Sequence, residues 1–221
     1  MKKKKILFFI IIFFILTTYN FKQNFQDKSL FFPIKEIEIN NTFILDAVKV
    51  KDDLNYLMNR NLLFLEKDKI LETIRENKII ANVEIKKIYP NKLIININEK
   101  EIIARYIKNK KNHYILNDGS IIENNNNKIS KKIPVLIGSA NNFLEFYNNL
   151  KEINFPIKDI KGFYFFDIGR FDIKLEKNIV IKLPTFDYKN SLRNYLKLRD
   201  TSKFNKYNIF DYRIENQLIL N

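Results

Sequence analysis

The stretch that most constrains this fold runs from Asn82 to Tyr106, where two alternating runs flank a short polar break. Val83 and Ile85 alternate with Glu84 and Lys86, while Leu93, Ile95 and Ile97 alternate with Ile94, Asn96 and Asn98. Between them lies Tyr89-Pro90-Asn91-Lys92, a cluster of turn formers. Successive side chains on a strand point to opposite faces, so the pattern describes an antiparallel hairpin with one buried face. Two helical patterns precede it and a strand precedes those, giving the order strand, helix, helix, strand, strand.

The earlier strand is Ile34-Lys35-Glu36-Ile37-Glu38-Ile39, in which Ile37 and Ile39 alternate with charges before Asn40-Asn41-Thr42 breaks the run. Val50, Leu54, Leu57 and Met58 form one stripe of an amphipathic helix expected from about Asp46 to Asn59. Asp68 is the expected N-cap of a second helix, with Ile70, Leu71 and Ile74 inward and Asn77 ending it in a left-handed conformation.

At the N-terminus, Lys2 to Lys5 precede an apolar run from Ile6 to Leu16 that Thr17, Thr18 and Tyr19 extend. Clustered lysines set an N-in orientation. The run is shorter than the roughly 20 residues of a comfortable membrane span, and a Lys-rich start also fits a secretory signal. No small-residue cleavage pattern follows, which favours an uncleaved anchor. On either reading the remainder is exported. The expected layout is a cytoplasmic tail over 1–5, a transmembrane anchor over 6–21, a linker over 22–30, a first domain over 31–106 and a second over 107–221.

Beyond Tyr106 the period stays two while turns become frequent, as in a second sheet. His113 to Leu116 and Ile121-Ile122 flank Asn117-Asp118-Gly119-Ser120, a hairpin signal because Asp-Gly supplies positive φ. An Asn-rich loop is expected from Glu123 to Ser130, and Phe143, Phe146, Tyr147 and Leu150 mark a helix. A meander is expected over 160–183, then a helix carrying Leu192, Tyr195 and Leu196. The fold class is α+β: an anchor helix, a β-α-α-β-β domain, and a mostly antiparallel β domain with helices.

Composition narrows the chemistry. Without Cys there are no disulfides, thiolate metal sites or Cys nucleophiles, and His113 is the single histidine. None of the four glycines falls in a nucleotide-binding or nucleophile-elbow spacing. The net charge of +14 comes largely from dispersed Lys and forms no basic stripe interleaved with stacking aromatics. It suits an anionic membrane surface better than nucleic acid. No catalytic, cofactor-binding, small-molecule or metal site is expected.

The order of elements is that of a POTRA domain, a module that handles other polypeptides. Tyr89-Pro90, Leu93-Ile94-Ile95-Asn96-Ile97, Glu99-Lys100 and Ala104 resemble the hairpin of the FtsQ/DivIB bacterial division proteins. Further matches are Asn61-Leu62-Leu63-Phe64, the Asp118-Gly119 unit, Ile133-Pro134-Val135-Leu136-Ile137-Gly138, and Asp211, Arg213 and Ile214. The chain departs from the family at Lys78-Ile79-Ile80, where Pro-Trp-Val is frequent, and at Ile102, where Pro is.

The resemblance implies a non-enzymatic, bitopic scaffold of the septal divisome, on the outer side of the cytoplasmic membrane, that binds the small bitopic proteins FtsB and FtsL. Its expected binding edge is the last hairpin: Tyr212, Arg213, Ile214, Glu215, Asn216, Gln217, Leu218, Ile219 and Leu220. An edge strand offers backbone groups for strand addition, which the resemblance assigns to FtsB. Arg213 would offer a forked contact to a carboxylate, and Tyr212, Ile214, Leu218 and Leu220 apolar surface. Alternatively, Arg213 only pairs with Asp211. Contacts the family makes past the position of Asn221 are not expected here.

Two other classes stay open. An envelope enzyme would need a nucleophile with its base, a metal site or a carboxylate pair, and only Glu99 and Glu101 suggest one. A POTRA-bearing component of protein secretion or envelope assembly would share the first domain.

Overall fold

The computed structural model describes residues 2–18, 31–108, 111–123 and 132–221. The expected linker, the end of the expected anchor at 19–21 and residues 124–130 of the Asn-rich loop lie outside the described residues. The chain divides into two compact units, Met1–Glu99 and Lys100–Asn221.

Helix α1 (Lys2–Thr18) contains the apolar run. Thr17 returns its hydroxyl to the carbonyls of Phe13 and Phe14, both at 3.0 Å. Among the described residues no helix is long and apolar enough to cross a membrane.

The first unit contains β1 (Glu36–Asn40), α2 (Ala47–Asp53), α3 (Lys67–Arg75), β2 (Ile80–Ile88) and β3 (Lys92–Glu99). Strand β3 is central: β1 pairs with it in parallel, Ile37 opposite Leu93, and β2 antiparallel, Ile85 opposite Ile95. Register partners share a face, so Leu93, Ile95 and Ile97 are wholly buried beside Val83, Ile85 and Ile37. Leu54, Leu57, Ile70 and Ile74 are buried from the helical segment.

Three local expectations need correction. Helix α2, capped by Asp46 on the amide of Val48, stops at Asp53, and Asn55–Leu57 forms a tighter 3-10 turn. Leu54 and Leu57 stay buried because i,i+3 positions still share a side in that turn. Glu66, not Asp68, precedes α3, and it makes no side-chain cap; Asp68 sits in the first turn, where its charge faces the positive helix end. Asn77 does not adopt positive φ, and its Oδ1 instead accepts the amide of Ile79 at 3.3 Å.

In the second unit the elements are β4 (Ile102–Lys108), β5 (Lys111–Leu116), β6 (Ile121–Glu123), β7 (Val135–Ile137), α4 (Phe143–Glu152), β8 (Ile160–Phe166), β9 (Arg170–Leu175), β10 (Val180–Lys182), α5 (Tyr188–Arg199), β11 (Ile209–Asp211) and β12 (Ile219–Leu220). Among the described residues its strands form one sheet in the order β12-β11-β10-β9-β8-β7-β4-β5-β6. Ile102 to Tyr106, grouped from the sequence with the first domain, runs in this second sheet, since β4 pairs with β5 and β7. Lys100 binds Asp118 at 2.6 Å and the Glu101 carbonyl accepts the amide of Asn117, so the chain joins the second unit directly after β3.

The two faces of this sheet differ in character. Leu136, Phe163, Ile173, Ile181 and Phe210 are successive register partners from β7 to β11, and all are buried. Onto them pack Phe143, Phe146 and Leu150 of α4 with Leu192 and Tyr195 of α5. Phe146 stacks on Phe171 at 4.2 Å, and Tyr195 meets Phe210 edge-on at 4.9 Å. One residue along, the partners are Ile137, Tyr164, Asp172, Lys182, Asp211 and Ile219, a row carrying the charges of the opposite face.

Candidate partner-binding edge

The site begins with how the last two strands are hydrogen-bonded. Just past β11, Tyr212 donates its amide to the Lys182 carbonyl of β10 at 2.8 Å, whereas Ile209 in β11 exchanges bonds with Asn221 at 2.8 and 3.1 Å. Antiparallel pairs alternate between bonded and non-bonded residues. Since Asp211 lies opposite Ile219 and Phe210 opposite Leu220, Ile219 turns its backbone groups toward β11. Leu220 turns its N-H and C=O outward, as alternation also directs for Leu218. No described strand pairs with that outer side.

The side chains of the strip divide between roles. Tyr212 is 7% exposed and belongs to the core, with its hydroxyl donating to Asn194 Oδ1 at 2.9 Å. Burial, with Tyr195 nearby, raises its phenol well above the ordinary range. The apolar surface expected of Tyr212 is therefore not presented, because the residue shares the inward face of Phe210. Leu218 and Leu220 are half-buried and rest against the core. Ile214 and Ile219 are exposed, as are Glu215, Asn216 and Gln217. Asn216, at φ 57, turns the chain back.

Arg213 forks onto Asp211, Nε to Oδ1 at 2.8 Å and Nη2 to Oδ2 at 2.6 Å. The Arg213 amide also donates to Asp211 Oδ1 at 3.1 Å. Arg213 thus makes the pairing that was one of its two expected roles, and Nη1 stays outside the fork. Its guanidinium holds the Asp211 carboxyl below the ordinary range, against the opposing pull of burial.

A second acid-base pair converges on the same face. Arg170 Nε lies 3.2 Å from Asp172 Oδ1, the Leu183 amide donates to that same oxygen, and Lys182 reaches within 3.9 Å of Asp211. Burial pushes the Asp172 carboxyl up, opposed mainly by Arg170. Sequence reading did not single out Arg170, Asp172 and Lys182. The signal available was the mirrored spacing of Arg170-Phe171-Asp172 and Asp211-Tyr212-Arg213, since residues two apart on a strand share a face.

Glu99 and Glu101 each have partners of their own. Glu99 closes β3 and accepts the amides of Phe43, Ile44 and Leu45 at 2.9–3.1 Å. Glu101 belongs to the second unit and lies 4.0 Å from Lys151. His113 is half-buried beside Tyr106, with Nδ1 3.1 Å from the Lys111 carbonyl oxygen. Among the described residues, no three His, Cys, Asp or Glu side chains group to hold a metal ion.

Comparison with known proteins adds identity to this geometry. Residues 32–100 match the family model "POTRA domain, FtsQ-type", and residues 104–213 match "Cell division protein FtsQ/DivIB, C-terminal". The chain is 23% identical over 212 residues to "Cell division protein FtsQ" of Bradyrhizobium diazoefficiens, covering 93% of this chain and 61% of that protein. It is 28% identical over 119 residues to "Cell division protein DivIB" of Clostridium tetani, covering 54% of this chain and 43% of that protein. With "Cell division protein FtsQ" of Rickettsia prowazekii it shares 26% over 192 residues, 85% of this chain and 72% of the relative. A β-α-α-β-β unit and a β unit with helices each meet their own family model, in the same order, and the chain belongs to the FtsQ/DivIB family of cell division proteins.

Proposed function

We propose that this chain is a non-enzymatic scaffold of the division septum, held by its N-terminal segment in the cytoplasmic membrane and binding other bitopic division proteins on the outer side. The anchor covers residues 6–21 in a single N-in pass, with α1 as its helical core. The β-α-α-β-β part of the first unit and the second unit then lie outside the membrane, where FtsB and FtsL are the partners the family resemblance implies.

The observation that carries this reading is the open side of β12. Leu220 and Leu218 direct backbone groups away from β11, and a partner segment can add there as a further strand. Ile219 and Ile214 supply exposed apolar contacts, and Nη1 of Arg213 is placed to receive a carboxylate. Beside this edge an open groove of about 560 Å³, bordered by Phe186, Asn190, Ile214 and Asn216, can take the chain leading to or from the added strand.

The test is capture of the FtsB extracytoplasmic segment by the full chain carrying Leu220→Pro. That substitution deletes the outward donor and leaves the hairpin's own bonds intact, so capture is lost while the fold persists. Unchanged capture places the binding edge elsewhere.

A further inference from the structure

An aromatic and aliphatic cluster is exposed in the first unit where the described residues resume at Phe31. Phe31, Phe32, Leu63, Ile88 and Tyr89 are 59%, 39%, 49%, 44% and 48% exposed. Phe32 and Tyr89 meet edge-on at 5.2 Å. Their segments are tied together by backbone: the Leu62 amide donates to Phe32 O at 2.8 Å and the Lys35 amide to Asn91 O at 2.8 Å. Lys87 reaches across to the carbonyls of Leu63 and Leu65 at 3.0 and 3.1 Å. These bonds order the segments that carry the exposed rings.

The charge around this cluster is predominantly positive. Its segments, 31–35, 59–67 and 86–92, carry Lys35, Arg60, Lys67, Lys86, Lys87 and Lys92 against Glu66 alone. Lys92 is neutralised by Glu36 and Glu38, and Lys86 lies 3.3 Å from Glu84. Lys35, Arg60, Lys67 and Lys87 remain as a basic surround. Burial, with the nearby Lys67 as the lesser cause, lowers the Lys87 ammonium's pKa.

We infer that this end of the first unit docks on the anionic surface of the membrane that holds α1, with the rings at headgroup depth and the basic residues on acidic lipids. The inference rests on the membrane reading proposed above. Only residues 19–30 separate α1 from Phe31, and a fully extended chain of that length reaches at most about 43 Å. Amphipathic aromatic rings favour the bilayer interface, and lysines within a Debye length of acidic lipids add attraction. Docking here fixes which end of the POTRA domain faces the bilayer.

The absence of Trp gives a clean fluorescence background for a test. The full chain is reconstituted into vesicles containing phosphatidylglycerol, carrying either Tyr89→Trp or Phe43→Trp. Phe43 is 83% exposed and its amide binds Glu99, at the end of β3 opposite the Tyr89 turn. Tyr89→Trp emission is expected to shift to the blue and to be largely quenched by brominated lipid, with both effects lost in purely zwitterionic vesicles. Phe43→Trp emission is expected to stay unquenched. Absent quenching at Tyr89→Trp, or equal quenching at both positions, overturns the inference. So does a blue shift that grows with protein density without lipid quenching, which assigns the cluster to a second copy. Carbonate extraction of the same vesicles reads the anchor separately: an extracted chain refutes the anchor, while the quenching result still decides the docking.

Discussion

Arg213 closes on Asp211 with two guanidinium nitrogens and its own amide, so one residue pair fixes both the end of β11 and the start of the turn to β12. Asp211 is 7% exposed and Arg213 shields it. Arg213→Ala leaves that carboxylate with Lys182 at 3.9 Å as its ion-pair partner. The Arg213 side chain is 44% exposed, so the loss is set between that of surface and buried pairs, about 1 kcal/mol in urea unfolding.

The same pair predicts an acid limb. Asp211's folded pKa lies below its ordinary 3.8, chiefly through the Arg213 hydrogen bond, so its stabilisation is complete above that value and is lost as pH falls through the lower folded value. Asp118, held down by Lys100 and Ser120, acts in the same direction. Acid titration of ellipticity should place the unfolding midpoint of Arg213→Ala at higher pH than that of the parent. An unchanged midpoint would remove Asp211 from the acid response.

Proline substitutions along β12 should separate folding from binding. Ile219→Pro deletes a donor directed at β11 and costs about 1 kcal/mol of stability, the net worth of one hydrogen bond. Leu220→Pro removes an outward donor, which edge strands tolerate, together with the half-buried side chain that rests on the core. Referenced to Ile219→Ala and Leu220→Ala, which remove the side chains alone, thermal unfolding should show the larger proline penalty at Ile219, and the reverse would contradict the register of Asp211 with Ile219.

Glu99 anchors a loop. Removing its carboxylate in Glu99→Ala strands the amides of Phe43, Ile44 and Leu45, at a cost of about 1–3 kcal/mol for a lost charge-assisted cluster. Hydrogen exchange of those three amides should accelerate, while Glu101→Gln leaves them as they were.

Gly138 is required by its backbone. It sits at φ +104, and a Cβ there would lie 2.3 Å from the Phe165 carbonyl oxygen. Gly138→Ala must shift β7 against β8 and is expected to lose about 2 kcal/mol or more, read by denaturant midpoint. The Pro-x-x-x-Gly spacing at Pro134 and Gly138 thus reflects a close approach of two parallel strands.

The sequence by itself determined what depends on neighbours along the chain: the alternation of β2 and β3, the Asp118-Gly119 turn, the stripes of α4 and α5, and the last hairpin. Each is written in spacing, because strand and helix periods fix which residues share a face. Tertiary structure decided what depends on register between distant segments. Helix α2 gave way to a 3-10 turn while still burying Leu54 and Leu57, and Ile102 to Tyr106 moved to the second sheet because β7 and β5 flank it there. Tyr212 and Arg213 are adjacent in sequence, yet one faces the core and the other the charged face, and only the pairing of β11 with β10 and β12 says which. The same pairing aims the backbone N-H and C=O of Leu220 outward and puts Asp172 and Lys182 on the face of Asp211, since a one-residue slip would reverse every one of those placements.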